Sequence, residues 1–299
     1  MTTKKTKEIP EEGIKLQPEE STTAVDRNEA PTESDQNAPT DATPVKILPS
    51  GVTTIVIPYA KDLAQGIELR MALRSIAKHI RTQVNVVIIG DREPWMVEDE
   101  LILTVIEHER SSDNPQIDVI EKLKMAIASP MVSDRFIWSN DDIYFVSPVT
   151  LADIEVLKAK ETLNPSLFGG IYAANMQRTV DLLNNANLPI RNFATHTPVM
   201  YNKEMLVELF ERFPELATGG YLLSSVYFNY HYPNHVAQEL NWPTDNWQVP
   251  VVKKEPNRVM FDAIIATKKW LNNAESGYSD FLRDTLLELF PDASPFEGE

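Results

Sequence analysis

The chain has 299 residues, enough for one large domain or two small ones, and its 42% hydrophobic and 24% charged content is ordinary for a soluble globular protein. A net charge of −16 argues against broad, non-specific nucleic-acid binding, which requires a cationic surface, although a local basic groove stays possible. The lack of cysteine excludes disulfides, thiolate zinc sites and cysteine nucleophiles.

The first 48 residues differ in composition from the rest. They are rich in Thr, Glu, Asp, Pro and Ser and contain no aromatic residue, so they cannot bury enough apolar surface to offset their ordering entropy. We predict a disordered acidic and polar tail over 1–48 and a single domain over 49–299. The N-terminus lacks the apolar core of a signal peptide, and no apolar run approaches the roughly 20 residues that span a bilayer. A cytoplasmic location without a transmembrane segment is expected.

The first half of the predicted domain alternates strands and helices. Apolar, β-branched runs indicate strands, and apolar residues recurring at a spacing of three or four indicate helices. The predicted strands are 52–60, 84–91, 101–109 and 135–146, and the predicted helices are 67–80 and 117–129. Because these strands are apolar on both faces, their order indicates a layered α/β domain with a mostly parallel sheet.

The second half has a more mixed pattern. We predict a helix at 151–163, a strand with a glycine pair at 167–175, and an extended segment that becomes a helix at 198–215. An amphipathic helix is predicted at 279–291, where Pro291 ends it. No clear linker separates the two halves, which favours one compact domain.

Three of the predicted strands end in polar residues. The three strand ends are Tyr59-Ala60-Lys61-Asp62, Gly90-Asp91-Arg92 and Ser139-Asn140-Asp141-Asp142. Ligands of open α/β sheets bind outside the carboxyl ends of parallel strands, so these side chains should converge on one crevice.

The strongest candidate is the acidic pair in IWSNDDIYFVSP, where Asp141 and Asp142 interrupt an apolar strand. Two carboxylates held close together repel each other, and a divalent cation removes that repulsion. Mg²⁺ and Mn²⁺ prefer oxygen ligands, which they commonly share between one or two carboxylates and substrate phosphates. Since neighbouring side chains of a strand point to opposite faces, both aspartates can share a site only if the backbone bends at 140–142. The alternative is an ordinary turn, for which Asn-Asp-Asp is suitable.

The other candidates have alternatives of similar weight. Gly90 and Asp91 could contact a ribose or base, or form an ordinary turn after a strand, and Asp62 is a weaker candidate of the same kind. His196, in ATHTPVMYNKE, could be a third metal ligand or a phosphate partner, whereas a lone histidine in a turn is more often structural. The glycine pair at 169–170 could allow a ligand to approach the backbone or could form a tight turn.

The sequence contains no P-loop, no GxGxxG, no GxSxG and no HExxH motif. P-loop phosphoryl transfer, dinucleotide redox chemistry, serine hydrolysis and zincin proteolysis therefore lack motif support.

Several segments over roughly 52–299 resemble those of nucleotide-sugar glycosyltransferases with the GT-A fold. The series ELRMALRSIAKHI, VNVVIIGDREPWM and DRFIWSNDDIYFVSPV is most similar to Stealth-type capsular polysaccharide transferases, in which a helix–strand unit leads to an "NDD" strand end. THTPVMYNKEMLVELFERFPE resembles a later Stealth-like region, and LELFPDASPFE resembles a closing FP-x-x-S-x-[FY]-E element of bacterial sugar transferases. The resemblance implies a GT-A-like three-layer sandwich in which Asp141 and Asp142 form the metal-binding acidic motif and Gly90-Asp91 lies near the nucleotide.

One segment departs from the Stealth pattern. Stealth proteins usually open with a Trp-Val-Asp-Gly-Ser-Asp-like stretch, where this chain has IVIPYAKD. The departure favours ordinary glycosyl transfer over sugar-phosphate transfer.

The leading hypothesis is therefore a metal-dependent glycosyltransferase that moves a sugar from a nucleotide-sugar to a glycan or another hydroxyl acceptor. Asp141, Asp142 and His196 are the predicted ligands of Mn²⁺ or Mg²⁺, and Asp142 and His196 are the candidate catalytic residues. Tyr59, Asp62, Gly90, Asp91 and Asn140 are the predicted nucleotide contacts. The alternatives are a Stealth-like sugar-phosphate transferase and a catalytically inactive binding protein with the same fold. A modified-DNA acceptor would require an electropositive groove beside the acidic pair.

Overall fold

The computed structural model describes residues 51–97, 99–242 and 244–298. The tail predicted at 1–48 lies outside these residues. The strands are β1 Thr53–Pro58, β2 Val84–Gly90, β3 Leu103–Glu107, β4 Arg135–Trp138, β5 Ile143–Phe145, β6 Lys158–Thr162, β7 Arg191–Asn192, β8 Val199–Asn202, β9 Gln238–Glu239, β10 Gln248–Val251 and β11 Trp270–Asn273. The α-helices are α1 Glu68–His79, α2 Pro115–Ala128, α3 Leu151–Glu155, α4 Gly170–Asn185, α5 Lys203–Arg212, α6 Leu223–His231, α7 Arg258–Ile265 and α8 Asp280–Leu289.

The central sheet has five strands in the order β3-β2-β1-β4-β8. The first four are parallel to one another, and β8 is an antiparallel strand that pairs with β4. The predicted α/β fold with a mostly parallel central sheet is therefore confirmed. The five predicted elements between 52 and 129 lie within a few residues of the observed ones.

Helices cover the central sheet on both faces, which makes the fold three layers deep. Because side chains alternate along a strand, Ile55 and Ile57 of β1 pack in the core that contains Leu73 of α1, whereas Val56 packs in the core that contains Leu123 of α2. These side chains are all fully buried. Because β1 contributes to two cores, three consecutive residues of it, Ile55, Val56 and Ile57, are all apolar.

The run 135–146 forms two strands rather than one. Arg135–Trp138 pairs with β1 in the central sheet, whereas Ile143–Phe145 pairs with β11 in a separate three-stranded sheet of order β10-β11-β5. Residues 139–142 connect the two sheets, with Asp141 and Asp142 in a turn. The prediction of a single strand is wrong here, while the bend at Asn140–Asp142 that a shared site requires is present.

Two predictions in the second half are also wrong. The predicted helix at 151–163 ends after α3, and 158–162 forms β6, which pairs with β7 and β9. The predicted strand at 167–175 contains the start of α4, whose cap residue is Gly169 and whose first residue, Gly170, has a φ of +60°. The local composition favours a helix at 158–162 and a strand at 167–175. In both segments, contacts with residues distant in the sequence outweigh this local preference.

The C-terminal segment that contains FPDASPFE is hydrogen-bonded to α1. The carboxylate of Glu297 accepts hydrogen bonds from Arg70 Nε at 2.5 Å and Arg74 Nε at 2.8 Å, and also from the backbone N–H of Ser294 at 2.9 Å. Phe290 and Phe296 are buried on either side. These contacts give the element a structural role in holding the N-terminal half of α1.

The strand order places a switch point between β1 and β4. The chain moves outward from β1 through β2 to β3 and then returns to form β4 on the other side of β1. In open α/β sheets the crevice outside the carboxyl ends of the strands at such a point is the usual ligand site. No helix in the described part of the chain is long and apolar enough to cross a membrane.

Candidate functional site

A cavity of about 540 Å³ opens at the switch point, and we call it the acidic cavity. Residues 58–60 at the end of β1 and residues 140–142 after β4 both contribute to its wall. Residues from the N-terminal turns of α1 and α2 complete it, among them Glu68, Pro115 and Asp118. Of the three strand ends predicted to converge on one crevice, those of β1 and β4 do so, whereas Gly90 and Asp91 at the end of β2 do not line the cavity.

Asp141 and Asp142 both line the acidic cavity. Burial raises the pKa of Asp141 to about 6, with a further contribution from the charge of Glu68. Burial raises the pKa of Asp142 to about 7, and the charge of Asp141 is the next cause. The Oδ1 atom of Asp142 has no hydrogen-bond partner among the described residues. The pair is thus a concentrated negative charge that protein groups leave partly uncompensated.

Glu68 is a third carboxylate in this cavity, and sequence reasoning missed it. It lies in the first turn of α1 and is only 4% exposed. Its Oε1 atom accepts a hydrogen bond from the backbone N–H of Gln65 at 3.2 Å, whereas Oε2 has no partner among the described residues. A glutamate in the first turn of a helix is an ordinary feature of sequences, so only its burial identifies it as part of the site.

A buried lysine lines the same cavity. Lys122 of α2 is 1% exposed, and its ammonium group lies 2.8 Å from Asp118 and donates a hydrogen bond to the backbone oxygen of Tyr59 at 2.9 Å. Its charge lowers the pKa of Asp141 in opposition to burial. Since Lys122 is engaged with Asp118 and Tyr59, it offsets only part of the negative charge.

Arg110 and Asp62 form an ion pair beside the cavity. The guanidinium group of Arg110, which contributes to the wall, lies 2.9 Å from Asp62 and 2.8 Å from Asp113. Asp62 itself is exposed and does not line the cavity. The structure therefore gives Asp62 an arginine partner, and it is the arginine that faces the ligand space.

Tyr59, Gly90 and Asp91 meet at the ends of β1 and β2, but only Tyr59 lines the acidic cavity. Gly90 has a φ of +144°, and a Cβ atom there would lie 1.8 Å from the backbone oxygen of Tyr59. The Oδ2 atom of Asp91 accepts a hydrogen bond from the backbone N–H of Lys61 at 2.7 Å. Gly90 and Asp91 thus fix the backbone at 59–61, and their predicted contact with a nucleotide stays a prediction.

His196 lines a second cavity, of about 160 Å³, and we call it the aromatic cavity. Asn140 and Val119 line both cavities, so the two adjoin there. The backbone of His196 is left-handed, with a φ of +52°, and its carbonyl oxygen accepts a hydrogen bond from Gln248 Nε2 at 2.9 Å. The side chain of His196 keeps solvent-exposed surface, and partial desolvation, with a smaller effect of Lys160, lowers its pKa below the ordinary 6.5, so the imidazole is neutral at pH 7.

The acidic pair suits a divalent cation that also binds a phosphate ligand. Among residues 51–97, 99–242 and 244–298, no group of three or more His, Asp or Glu side chains is arranged to hold a metal ion by itself. The structure therefore does not bring His196 together with the pair as a third ligand. Two carboxylates, one of them with a free oxygen, match the usual Mg²⁺ arrangement, in which substrate phosphates and water complete the coordination.

The wall of the acidic cavity is predominantly acidic. It contains Arg110 and Lys122, and its carboxylates are Glu68, Asp113, Asp118, Asp141, Asp142 and Glu275. This charge balance is opposite to the electropositive groove that a DNA acceptor would require.

No protein-family model matches the chain, and no curated protein is significantly similar to it. Among solved structures, the bifunctional glycosyltransferase WbbM in its apo form aligns with 83% of this chain at 10% identity and a TM-score of 0.44. The glycosyltransferase GlyE of Streptococcus pneumoniae TIGR4 aligns with 64% of the chain at 11% identity and a TM-score of 0.31, and its apo form with 80% at 12% and 0.39.

The matched part of this chain spans about half the length of these solved structures, 51% of WbbM and 45% or 60% of GlyE. At such identities and TM-scores the likeness assigns no activity. None of these structures bears on the Stealth resemblance, which stays a prediction.

Proposed function

We propose that the chain is a metal-dependent glycosyltransferase that takes a sugar from a nucleotide-sugar donor and transfers it to a hydroxyl-bearing acceptor such as a glycan. The observation that carries this proposal is the position of Asp141 and Asp142. Both line a cavity at the switch point of the sheet, and Asp142 has a carboxylate oxygen without a partner among the described residues.

The donor's diphosphate would lie in the acidic cavity. Asp141 and Asp142 would hold Mn²⁺ or Mg²⁺, which supplies charge stabilisation for the departing nucleoside diphosphate when it is bound. Arg110 presents a positive charge from the wall, and the first turns of α1 and α2, which line the same space, add the positive ends of their helix dipoles. These groups favour an anion, whereas the acidic pair requires a cation, and a metal-bound diphosphate satisfies both.

The acceptor would enter from the aromatic cavity. Asn140 lies at the junction and can orient groups on either side. His196, neutral at pH 7, can exchange a hydrogen bond with an acceptor hydroxyl, and this is the role we propose for it.

Calorimetric titration with UDP and with GDP, each with and without Mn²⁺, tests the donor half of the proposal. We expect one of the two nucleotides to bind with Mn²⁺ at least tenfold more tightly than without it. The Asp142→Asn variant should lose this metal-dependent gain, because it removes a ligand charge while keeping the side-chain shape. Release of the nucleoside diphosphate from the matching nucleotide-sugar then tests transfer.

Glu211→Gln is the matched control, since it also removes one negative charge but from an exposed position on α5. It should bind nucleotide and metal as the wild type does. Binding that is independent of metal and unchanged by Asp142→Asn would contradict the proposed function.

A further inference from the structure

The aromatic cavity has the dimensions and lining of a site for one sugar ring. Its volume of about 160 Å³ is below the ~300 Å³ at which pockets begin to enclose a whole drug-sized ligand. Trp138, Tyr172 and Tyr221 contribute aromatic surface, which suits the apolar face of a sugar. A larger acceptor can place only one end in this cavity, and the remainder must lie on the surface that adjoins it.

Two hydroxyl groups of the cavity are available to a ligand. The hydroxyl groups of Tyr172 and Tyr221 make no hydrogen bond with any residue that the structure describes, although both side chains line the cavity. Asn140 adds an amide at the side that adjoins the acidic cavity. Aromatic faces combined with unpaired hydroxyl groups fit the alternating apolar and polar surface of a sugar ring.

The rim beside Tyr172 is apolar and open. Leu167, Phe168 and Ile171 are 72%, 49% and 51% exposed, which is unusual for three large apolar side chains within five residues. The ring of Phe168 packs edge-on against Tyr172, with 5.0 Å between the ring centroids. We call Leu167, Phe168 and Ile171 the apolar rim, and through Tyr172 it is continuous with the cavity wall.

We propose that the acceptor is an amphipathic glycoside, whose terminal sugar occupies the aromatic cavity and whose apolar aglycone lies on the apolar rim. The inference rests on the proposed function and adds the substrate class. It follows from two observations together: the cavity is too small for more than one end of an acceptor, and the exposed surface that meets its wall at Tyr172 is apolar. The net charge of −16 disfavours an anionic membrane surface as the occupant of the rim.

The test compares n-octyl and methyl β-glycosides of glucose, galactose and N-acetylglucosamine, below micelle-forming concentrations, by calorimetry. For at least one sugar we expect the octyl glycoside to bind at least tenfold more tightly than the methyl glycoside. An octyl ether of triethylene glycol, which has the same chain without a sugar, should bind at least tenfold more weakly than that octyl glycoside.

Two sets of variants separate the two halves of the proposed site. Phe168→Ser with Ile171→Ser should remove the octyl preference while leaving methyl glycoside binding within threefold. Tyr172→Phe with Tyr221→Phe, which removes only hydroxyl groups, should weaken both glycosides. Val259→Ser is the matched control, since it changes an exposed apolar residue of α7 and should leave both affinities unchanged.

An octyl preference that survives Phe168→Ser with Ile171→Ser, or equal binding of the sugarless ether, would overturn the inference. So would a concentration-dependent dimer that the same double substitution abolishes, because a second copy would then occupy the rim. Nucleotide binding with no octyl preference refutes the acceptor class alone. Octyl glycoside binding without any metal-dependent nucleotide binding refutes the proposed glycosyltransferase function instead.

Discussion

The lack of a Cβ atom at Gly90 allows the backbone geometry found beside the acidic cavity. Its φ of +144° is unfavourable for any residue with a Cβ atom, and that atom would overlap the backbone oxygen of Tyr59. We expect Gly90→Ala to lower the free energy of unfolding by about 2 kcal/mol or more, measured by urea denaturation. Gly298→Ala is the control, since its Cβ would meet the Met96 oxygen at an ordinary 3.6 Å. Equal stability of the two variants would contradict this account.

The acidic pair should destabilise the protein when no metal is bound. Because burial raises the pKa of Asp142 to about 7, the folded protein binds this proton more tightly than the unfolded chain does. The associated stability is fully present below about pH 4 and is lost as the pH rises toward 7. At pH 8 we therefore expect Asp142→Asn to raise the free energy of unfolding by about 1 to 3 kcal/mol.

Urea denaturation of wild type and Asp142→Asn from pH 4 to pH 8, with a chelator present, measures this effect. The two stability curves should diverge as the pH rises. A constant difference across that range would show that the charge of Asp142 is not the cause.

At the scale of elements, the C-terminal segment and α1 depend on one carboxylate. Burial opposes ionisation of Glu297, but hydrogen bonds from Arg74, Ser294 and Arg70 outweigh it and lower the pKa to about 2. The stability from this group is present above the ordinary pKa of 4.5 and is lost as the pH falls toward 2. Glu297→Gln should therefore cost about 1 to 3 kcal/mol at pH 7.

Thermal or urea unfolding of Glu297→Gln at pH 7 and at pH 3 measures this contribution. The deficit relative to wild type should shrink at pH 3, and the exposed Glu211→Gln change should have little effect at either pH. If the deficit is the same at both pH values, the ion pairs with α1 are not its source.

The elements differ in how far their own sequence determines them. β1, β2 and α1 were predicted because their apolar patterns match one structure and their packing agrees with it. In β6, the residues Lys158–Thr162 favour a helix locally, yet they pair with β7 and β9, more than 25 residues away. Asp141 and Asp142 could be recognised because they interrupt apolar strands, whereas Glu68 and Arg110 become site residues only when the chain folds around them.

At the scale of the whole molecule, the proposed function would place the donor and the acceptor in two adjoining cavities. The acidic cavity lies between the sheet ends and α1 and α2, while the aromatic cavity is built from α4, the segment before β8, and the start of α6. Asn140 and Val119 are common to both. A donor and an acceptor bound in this way would meet beside the turn at 140–142.

This arrangement also predicts how metal and nucleotide should depend on each other. Since the described residues contain no group of three ligands that could hold a metal alone, the acidic pair should bind Mn²⁺ weakly by itself and tightly when a diphosphate supplies further oxygens. By linkage, the nucleoside diphosphate must gain the same factor from Mn²⁺, and we expect at least tenfold each way. Titrations of Mn²⁺ with and without UDP or GDP, followed by electron paramagnetic resonance of the free ion, measure how much the nucleotide tightens Mn²⁺ binding. Calorimetry with nucleotide measures how much Mn²⁺ tightens nucleotide binding. Tight binding of Mn²⁺ that nucleotide does not change would mean that the protein completes the metal site on its own, contrary to the coordination proposed for Asp141 and Asp142.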